Sequence, residues 1–315
     1  MENKRVIKRK RRKRNILILS ASCLLIIMIS ALGYVYWQYK SALNVSLKDV
    51  GNHKKQDIKF NGVKDRFGHI NVLLMGVDSR GEKNSRSDSI IFAQYNQDTN
   101  TPKIVSIMRD SYVKIPGHGM NKINAAEAIG GFELIRQTIN ENFEVDIQYY
   151  VQIDFKGFTK MIDKVFPDGL DVDIEKEMKE TIGVTLSQGK QTLHGKEMLG
   201  YVRFRHDAEG DFGRIKRQQK VLGILADNMI SVKGITHLPQ MIGTIQPYID
   251  TNVKQRLALS IASNYLKGGK RIKTFRIPIE QGFRNARVQI GNDTAAVLEI
   301  DAEKNRDALK AFLNN

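Results

Sequence analysis

Ile70-Asn-Val-Leu-Leu-Met-Gly-Val77, running on into Asp78-Ser-Arg80, is the stretch from which the fold can be read. It is a short apolar run that ends in acid and base, as a buried strand does when it delivers polar groups to a sheet edge. Residues 89–95 and 103–108 repeat the pattern, each apolar and each bounded by turn residues. Residues 124–143 then carry Ile129, Phe132, Leu134, Ile135 and Ile139 at helical spacing, with Gly130-Gly131 as a weak point. A strand at 149–153, a helix at 155–166 and a strand at 170–174 follow. Strands alternating with helices predict an α/β fold built on a layered sheet. Beyond them, 189–195 reads as a loop, 201–205 as a strand and 211–231 as a long helix. Residues 238–249 and 253–267 read as helices, 274–279 and 286–290 as strands, and 301–313 as a closing helix.

Outward from this domain, the N-terminus has a different character. Nine of the first 14 residues are basic and one is acidic, so this tail (1–14) holds about half of the net charge of +16. Residues 16–37 contain no charged side chain, and at about 1.5 Å rise each they reach roughly 33 Å, enough to cross a bilayer. Ala31-Leu-Gly33 offers the small residues of a cleavable signal, but the run continues through Tyr34, Tyr36 and Trp37, an aromatic belt suited to an uncleaved anchor. Segment 15–37 is therefore read as a single transmembrane signal anchor in the cell membrane. The basic tail keeps the N-terminus cytoplasmic and sends the rest outside. Polar, lysine-rich residues 38–68 read as a stalk, and 69–315 as one extracellular domain. The single cysteine, Cys23, lies in the span, so the exported part is held by its core without disulfides. Its remaining charge of about +8 suits an anionic partner. Its location argues against nucleic acid.

Several constellations carry chemistry. Asp78 and Asp88 follow and precede neighbouring strands, beside Arg80 and Arg86, and two carboxylates are what Mg²⁺ takes when phosphate and water complete its shell. Taken alone, each aspartate also reads as a turn or cap residue. Arg109-Asp110 ends the third strand, at the edge where open α/β sheets hold ligands. Asn121-Lys122-Ile-Asn124 opens the next helix with two N-cap candidates and a lysine. Tyr201-Val-Arg-Phe-Arg205, if extended, puts Arg203 and Arg205 on one face, and Asp211, Arg214 and Gln218 share one face of the helix after it. Asp211 equally fits the N-cap of that helix. Gly76-Val-Asp-Ser-Arg-Gly81 lacks the lysine of a nucleotide loop, and no zinc or serine-hydrolase spacing is present.

From His69 to Gln219 these residues resemble the LytR-CpsA-Psr family of Gram-positive cell-wall assembly proteins. The matching elements are Leu74-Met-Gly-Val-Asp-Ser-Arg80, Arg86-Ser-Asp88, Val105-Ser-Ile-Met-Arg-Asp110, Lys122-Ile-Asn-Ala-Ala126, Val202-Arg-Phe-Arg205, Gly210-Asp-Phe-Gly-Arg214 and Arg217-Gln-Gln219. Met108 stands where the family usually has proline, which predicts a local backbone difference without loss of the site. The resemblance implies a three-layer α/β/α domain with a central mixed sheet and an apolar tunnel for a polyprenyl chain, placed between helices 124–143 and 214–230. It implies transfer of a glycopolymer, such as wall teichoic acid or capsular polysaccharide, from undecaprenyl diphosphate to a peptidoglycan acceptor. Asp78 and Asp88 would hold Mg²⁺, and Arg86, Arg109, Arg203, Arg205, Arg214 and Gln218 the diphosphate, with Arg80, Lys122 and Arg217 joining them. Arg109, Asp110 and Asp211 are the catalytic candidates, either aspartate serving as base. A non-catalytic extracytoplasmic binder of lipid-linked diphosphates or anionic wall polymers, with a regulatory role, is the rival expectation.

Overall fold

The computed structural model describes residues 2–50, 58–77, 87–179, 182–231, 238–268 and 271–314, without the side chains of 2–14, 16, 87, 88, 230 and 231. Helix α1 (Glu2–Val50) is continuous. Among the described residues it is the one helix long and apolar enough to cross a membrane, and its large apolar side chains from Leu17 to Trp37 are exposed. A single-pass anchor fits. Residues 38–50, expected as a stalk, instead continue this helix and dock on the domain, burying Gln38 and Ser46. The buried stripe is narrow and polar, so hydrophobic period could not reveal it. Its partners are α6 (Leu238–Ile245) and the 3₁₀ turn Gln246–Tyr248. Tyr39 hydrogen-bonds Gln246 and Gln255, and the Tyr248 hydroxyl donates to Asp49 at 2.8 Å. Gly243 makes the approach possible, because a Cβ there would lie 2.4 Å from the Tyr39 carbonyl oxygen.

The domain is built on a six-stranded mixed sheet, ordered β10-β3-β2-β1-β6-β9. Its strands are β1 (Ile70–Val77), β2 (Ser87–Asn96), β3 (Thr101–Ile107), β6 (Tyr149–Asp154), β9 (Ile249–Thr251) and β10 (Lys273–Ile277). β1 runs parallel to β6 and β3 parallel to β10, while β2 lies antiparallel between β1 and β3. The carboxyl ends of β1, β3, β6 and β10 therefore share one edge.

Alternation along the strands decides the layers. Leu73, Met75, Ile90, Phe92, Val105 and Ile107 point to one face and form the main core with α2 (Ala125–Phe143) and α8 (Ala302–Asn314). Gly130-Gly131 bends α2 as expected, Gly131 taking φ +64°. The intervening residues, Val72, Leu74, Ile91, Val151 and Ile153, point the other way into two adjoining apolar chambers of 390 and 270 Å³. Their far walls are α3 (Phe155–Val165), α5 (Gly210–Ser231), α6 and α7 (Gln255–Gly268). The tunnel expected between the helices at 124–143 and 214–230 is corrected accordingly: α5 lines the chambers, but α2 is across the sheet. Sequence period identifies an apolar face without saying which side of the sheet it covers.

Two further assignments change. Residues 189–195, read as a loop, contain β8 (Gly189–Leu193), paired with β7 (Leu170–Ile174). Only Leu193 of its five residues is buried, so pairing more than burial makes it a strand. Residues 201–205 are not a strand: α4 (Gly195–Arg203) runs to Arg203, because Met198 and Tyr201, one helical turn apart, are fully buried together. A second sheet, β11-β12-β4-β5, comprises β4 (Ser111–Ile115), β5 (Gly119–Lys122), β11 (Phe283–Ile290) and β12 (Asp293–Ile300). It braces the turn after β3, where the Leu298 N–H donates to the Asp110 carbonyl at 2.9 Å.

Candidate functional site

At the shared edge of the parallel strands, the turn after β3 meets the first turn of α5. Arg109 Nε lies 3.2 Å from Asp211 Oδ2 and 3.5 Å from Asp110 Oδ2. Asp211 Oδ2 also receives Arg214 Nη2 at 3.1 Å, and Asp110 Oδ1 receives Lys122 Nζ at 2.7 Å. Three cations and two carboxylates thus form one partly buried network from residues more than 100 positions apart. Asp211 is not the N-cap of α5, which begins at Gly210; Asp207 accepts the N–H groups of Glu209 and Gly210 instead. Asp211 sits in the first turn and joins two arginines. Lys122 belongs to the end of β5 rather than to α2, and Asn124 at the N-cap position makes no side-chain cap.

Met108 explains its own departure from the family pattern. Its N–H donates to the Ile277 carbonyl at 2.8 Å, extending the β3–β10 ladder by a bond that proline cannot make. Its side chain is buried with Ile215 and Leu298.

The remaining candidates divide. Gln218, one turn beyond Arg214, lines the 270 Å³ chamber beside Gly76 and Ser89 and donates to the Val202 carbonyl at 3.3 Å. The chamber therefore abuts the cation network. Since 201–205 is not extended, Arg203 and Arg205 do not share a strand face: Arg203 lies over the Phe155 ring at 4.4 Å, and Arg205 is exposed. Arg217 is corrected outright. It is buried, donating to Asp207 Oδ2 at 3.1 Å and to the Phe204 carbonyl at 2.6 Å, and so holds the 204–207 loop to α5 instead of facing a ligand. Gln219 is likewise structural, tying α5 to Ser106 and the Phe275 carbonyl of the sheet.

Asp78, Arg80 and Arg86 lie outside the described residues, as does the side chain of Asp88. Val77, the residue before Asp78, is paired with Ser87, the residue after Arg86. Among the described residues no group of three or more metal-ligating side chains occurs.

Sequence reasoning missed Arg276. Its guanidinium lies 4.3 Å from the ring centroid of Phe212, next to Asp211, and burial pushes its pKa down. An arginine alternating with apolar residues in Thr274-Phe-Arg-Ile was the available signal.

Comparison with known proteins places these features in a family. The model of the LytR_cpsA_psr family matches residues 33–311. The chain is 37% identical over 282 residues to the regulatory protein MsrR of Staphylococcus aureus (strain COL), covering 89% of this chain and 85% of that protein. It is 31% identical over 271 residues to TagU of Bacillus subtilis (strain 168), a polyisoprenyl-teichoic acid--peptidoglycan teichoic acid transferase, covering 84% and 87%. Among solved structures, B. subtilis TagV superposes with a TM-score of 0.66 at 28% identity, over 78% of this chain and 97% of that one. TagT bound to LI-WTA does so at 0.61 and 25%, over 82% and 94%.

Proposed function

The chain belongs to the LytR-CpsA-Psr family, and from that premise we propose that it is a membrane-anchored transferase moving a glycopolymer from polyprenyl diphosphate to peptidoglycan. The observation that carries this reading is the junction of a cation network with a large apolar chamber at one sheet edge. An amphiphile with an anionic head meets both requirements. Along β1 the lined path from Gly76 to Ile70 is about 20 Å, suited to a hydrocarbon chain. The TagU and TagT relatives support a wall-polymer donor.

In the reaction, an acceptor hydroxyl oxygen forms a bond to the sugar-proximal phosphorus, and the bond from that phosphorus to the bridging oxygen breaks. Polyprenyl phosphate leaves, and the polymer gains a phosphodiester. Arg109 and Arg214 neutralise the separating charge from positions already set by Asp211, so little reorganisation is needed. Asp110 or Asp211 takes the hydroxyl proton. A Mg²⁺ ion, held by Asp78 and Asp88, would supply further charge neutralisation at the diphosphate, for which two hard carboxylates are a fitting donor set. The basic tail supports a cytoplasmic N-terminus with the domain outside the cell.

The test uses the full chain in nanodiscs with a labelled lipid-diphosphate glycan and peptidoglycan oligomers, with Mg²⁺ or EDTA, beside Arg109→Ala and Asp78→Ala proteins. Label should move to the acceptor only with Mg²⁺ and intact residues. Tight donor binding without transfer, across several donors and acceptors, would instead identify a binding protein, a reading compatible with the regulatory name of MsrR.

A further inference from the structure

The sheet edge continues beyond the cation network, on the side away from the lipid chamber. Reading across the sheet, β1 and β2 carry the chamber residues Gly76 and Ser89, β3 comes next with Arg109 just past its end, and β10 follows. β10 is two strand spacings from β2, about 10 Å. Helix α5 repeats the order, with Gln218 at the chamber, Arg214 and Asp211 in the network, and Phe212 packed beyond them against the cluster of Met108, Ile215 and Leu298.

Arg276 stands at this far end. Phe275 and Ile277 pack into the main core, so Arg276 between them points to the opposite face, toward α5. Its guanidinium lies over the Phe212 ring, and that ring packs on Phe283, the first residue of β11, with centroids 5.6 Å apart. All three side chains are partly exposed. The turn between Arg276 and Phe283 is fixed by Asn305, a fully buried residue that accepts the Ile279 N–H at 2.8 Å and donates to the Gly282 carbonyl at 2.7 Å. A guanidinium stacked on a ring keeps its five N–H donors in plane, available to a fork-shaped acceptor. Arg214 and Arg217 each spend theirs on a carboxylate. Among the described residues Arg276 makes no hydrogen bond or ion pair; Phe212 touches it, and Glu280 attracts it from further away. Withdrawing such donors from water without replacing their hydrogen bonds costs free energy, which a bound anion would offset.

We propose that Arg276, Phe212 and Phe283 form the subsite for the acceptor, a glycan strand whose sugar face lies on the Phe283 ring while Arg276 grips a carboxylate of the peptide that the strand carries. The position rests on the transferase reading, because phosphoryl transfer sets the attacking and leaving oxygens roughly in line. With polyprenyl phosphate leaving on the chamber side, the acceptor hydroxyl arrives from the β10 side. Asp211, the neighbour of Phe212, is then at hand for its proton. A carboxylate matches a guanidinium fork in shape and charge, which makes the acidic stem peptide the recognised group.

The experiment measures binding to the full chain in nanodiscs by calorimetry, with three probes: a peptidoglycan oligomer with free stem-peptide carboxylates, the same oligomer with those carboxylates amidated, and a lipid-diphosphate glycan donor. Arg276→Gln should weaken the carboxylate oligomer by about tenfold or more, as the loss of a charged hydrogen-bonded contact does, and leave the amidated oligomer and the donor unchanged. Phe283→Leu, which keeps an apolar side chain but removes the ring, should weaken both oligomers and spare the donor. In the transfer assay each variant should raise KM for the acceptor and not for the donor. An Arg276→Gln protein that binds the carboxylate oligomer as the parent does, or that loses donor affinity in its place, would overturn the subsite. A parent that binds the acceptor through Arg276 yet transfers nothing would uphold the subsite and sink the transferase reading alone.

Discussion

Replacing Arg217 with methionine should destabilise the protein far more than it disarms it. Arg217 and Asp207 are each 3% exposed and pair at 3.1 Å, and the same guanidinium caps the Phe204 carbonyl. Removing the arginine leaves the Asp207 carboxylate with Lys176 at 3.3 Å and the N–H groups of Glu209 and Gly210 but strands the buried Phe204 carbonyl, and an unsatisfied buried polar group costs about 1–3 kcal/mol. For a domain of this size each kcal/mol is worth about 2–4 °C, so the unfolding temperature should fall by roughly 2–12 °C. Arg205→Ala, at an exposed position, should change stability by less than about 0.5 kcal/mol while lowering donor affinity. The pH dependence has a definite sign. Burial alone would push the Asp207 carboxyl up, but Arg217, and then Lys176, outweigh it and hold it below the usual carboxylate range. A carboxyl lowered on folding stabilises the native state above its unfolded value, near pH 4, and loses that contribution as pH falls through the folded value. The gap between parent and Arg217→Met should therefore be full at pH 7 and narrow in acid below about pH 4, leaving the part due to the Phe204 carbonyl. Thermal unfolding by circular dichroism at several pH values, with lipid-diphosphate binding measured alongside, tests this. An Arg217→Met protein as stable as the parent but unable to bind the donor would refute the reasoning and return Arg217 to the ligand site.

Three other perturbations follow from the same geometry. Gly243→Val sets a Cβ against the Tyr39 carbonyl, and amide exchange over residues 39–50 should quicken as the anchor helix undocks; unchanged protection there would mean that α1 is held by something else. Val151→Phe, at a residue shared by both chambers, should abolish transfer from a long-chain donor and spare a water-soluble short-chain one, since the added ring fills existing space. Equal loss with both donors would contradict a lipid role for the chambers. Asp211→Asn should lower kcat by about 10²-fold or more if this carboxylate is the base, and unchanged turnover would leave Asp110 as the candidate.

Much of this architecture is legible in the chain. Residues 16–37 announce an anchor by lacking charge, and 70–77 announces a buried strand because apolar side chains on both faces of a sheet leave little alternation to read. Arg109 and Asp110 could be anticipated at the sheet edge, since charged groups directly after an apolar strand collect there, whereas their meeting with Lys122, Asp211 and Arg214 needed the fold. Asp78, Arg80, Arg86 and Asp88 remain sequence assignments.

Other outcomes needed the assembled fold. Arg217 and Arg214 differ by three positions on one helix, and no local rule separates them; what separates them is that Asp207 and Phe204 return beside one and Arg109 beside the other. Met198 and Tyr201 made 201–203 helical only because a second core was there to receive them. The side of the sheet on which the chambers lie, the docking of 38–50 on α6 and the seat of Arg276 on Phe212 are all contacts between distant segments. Spacing along a chain specifies which residues share a face, whereas only packing specifies what that face meets.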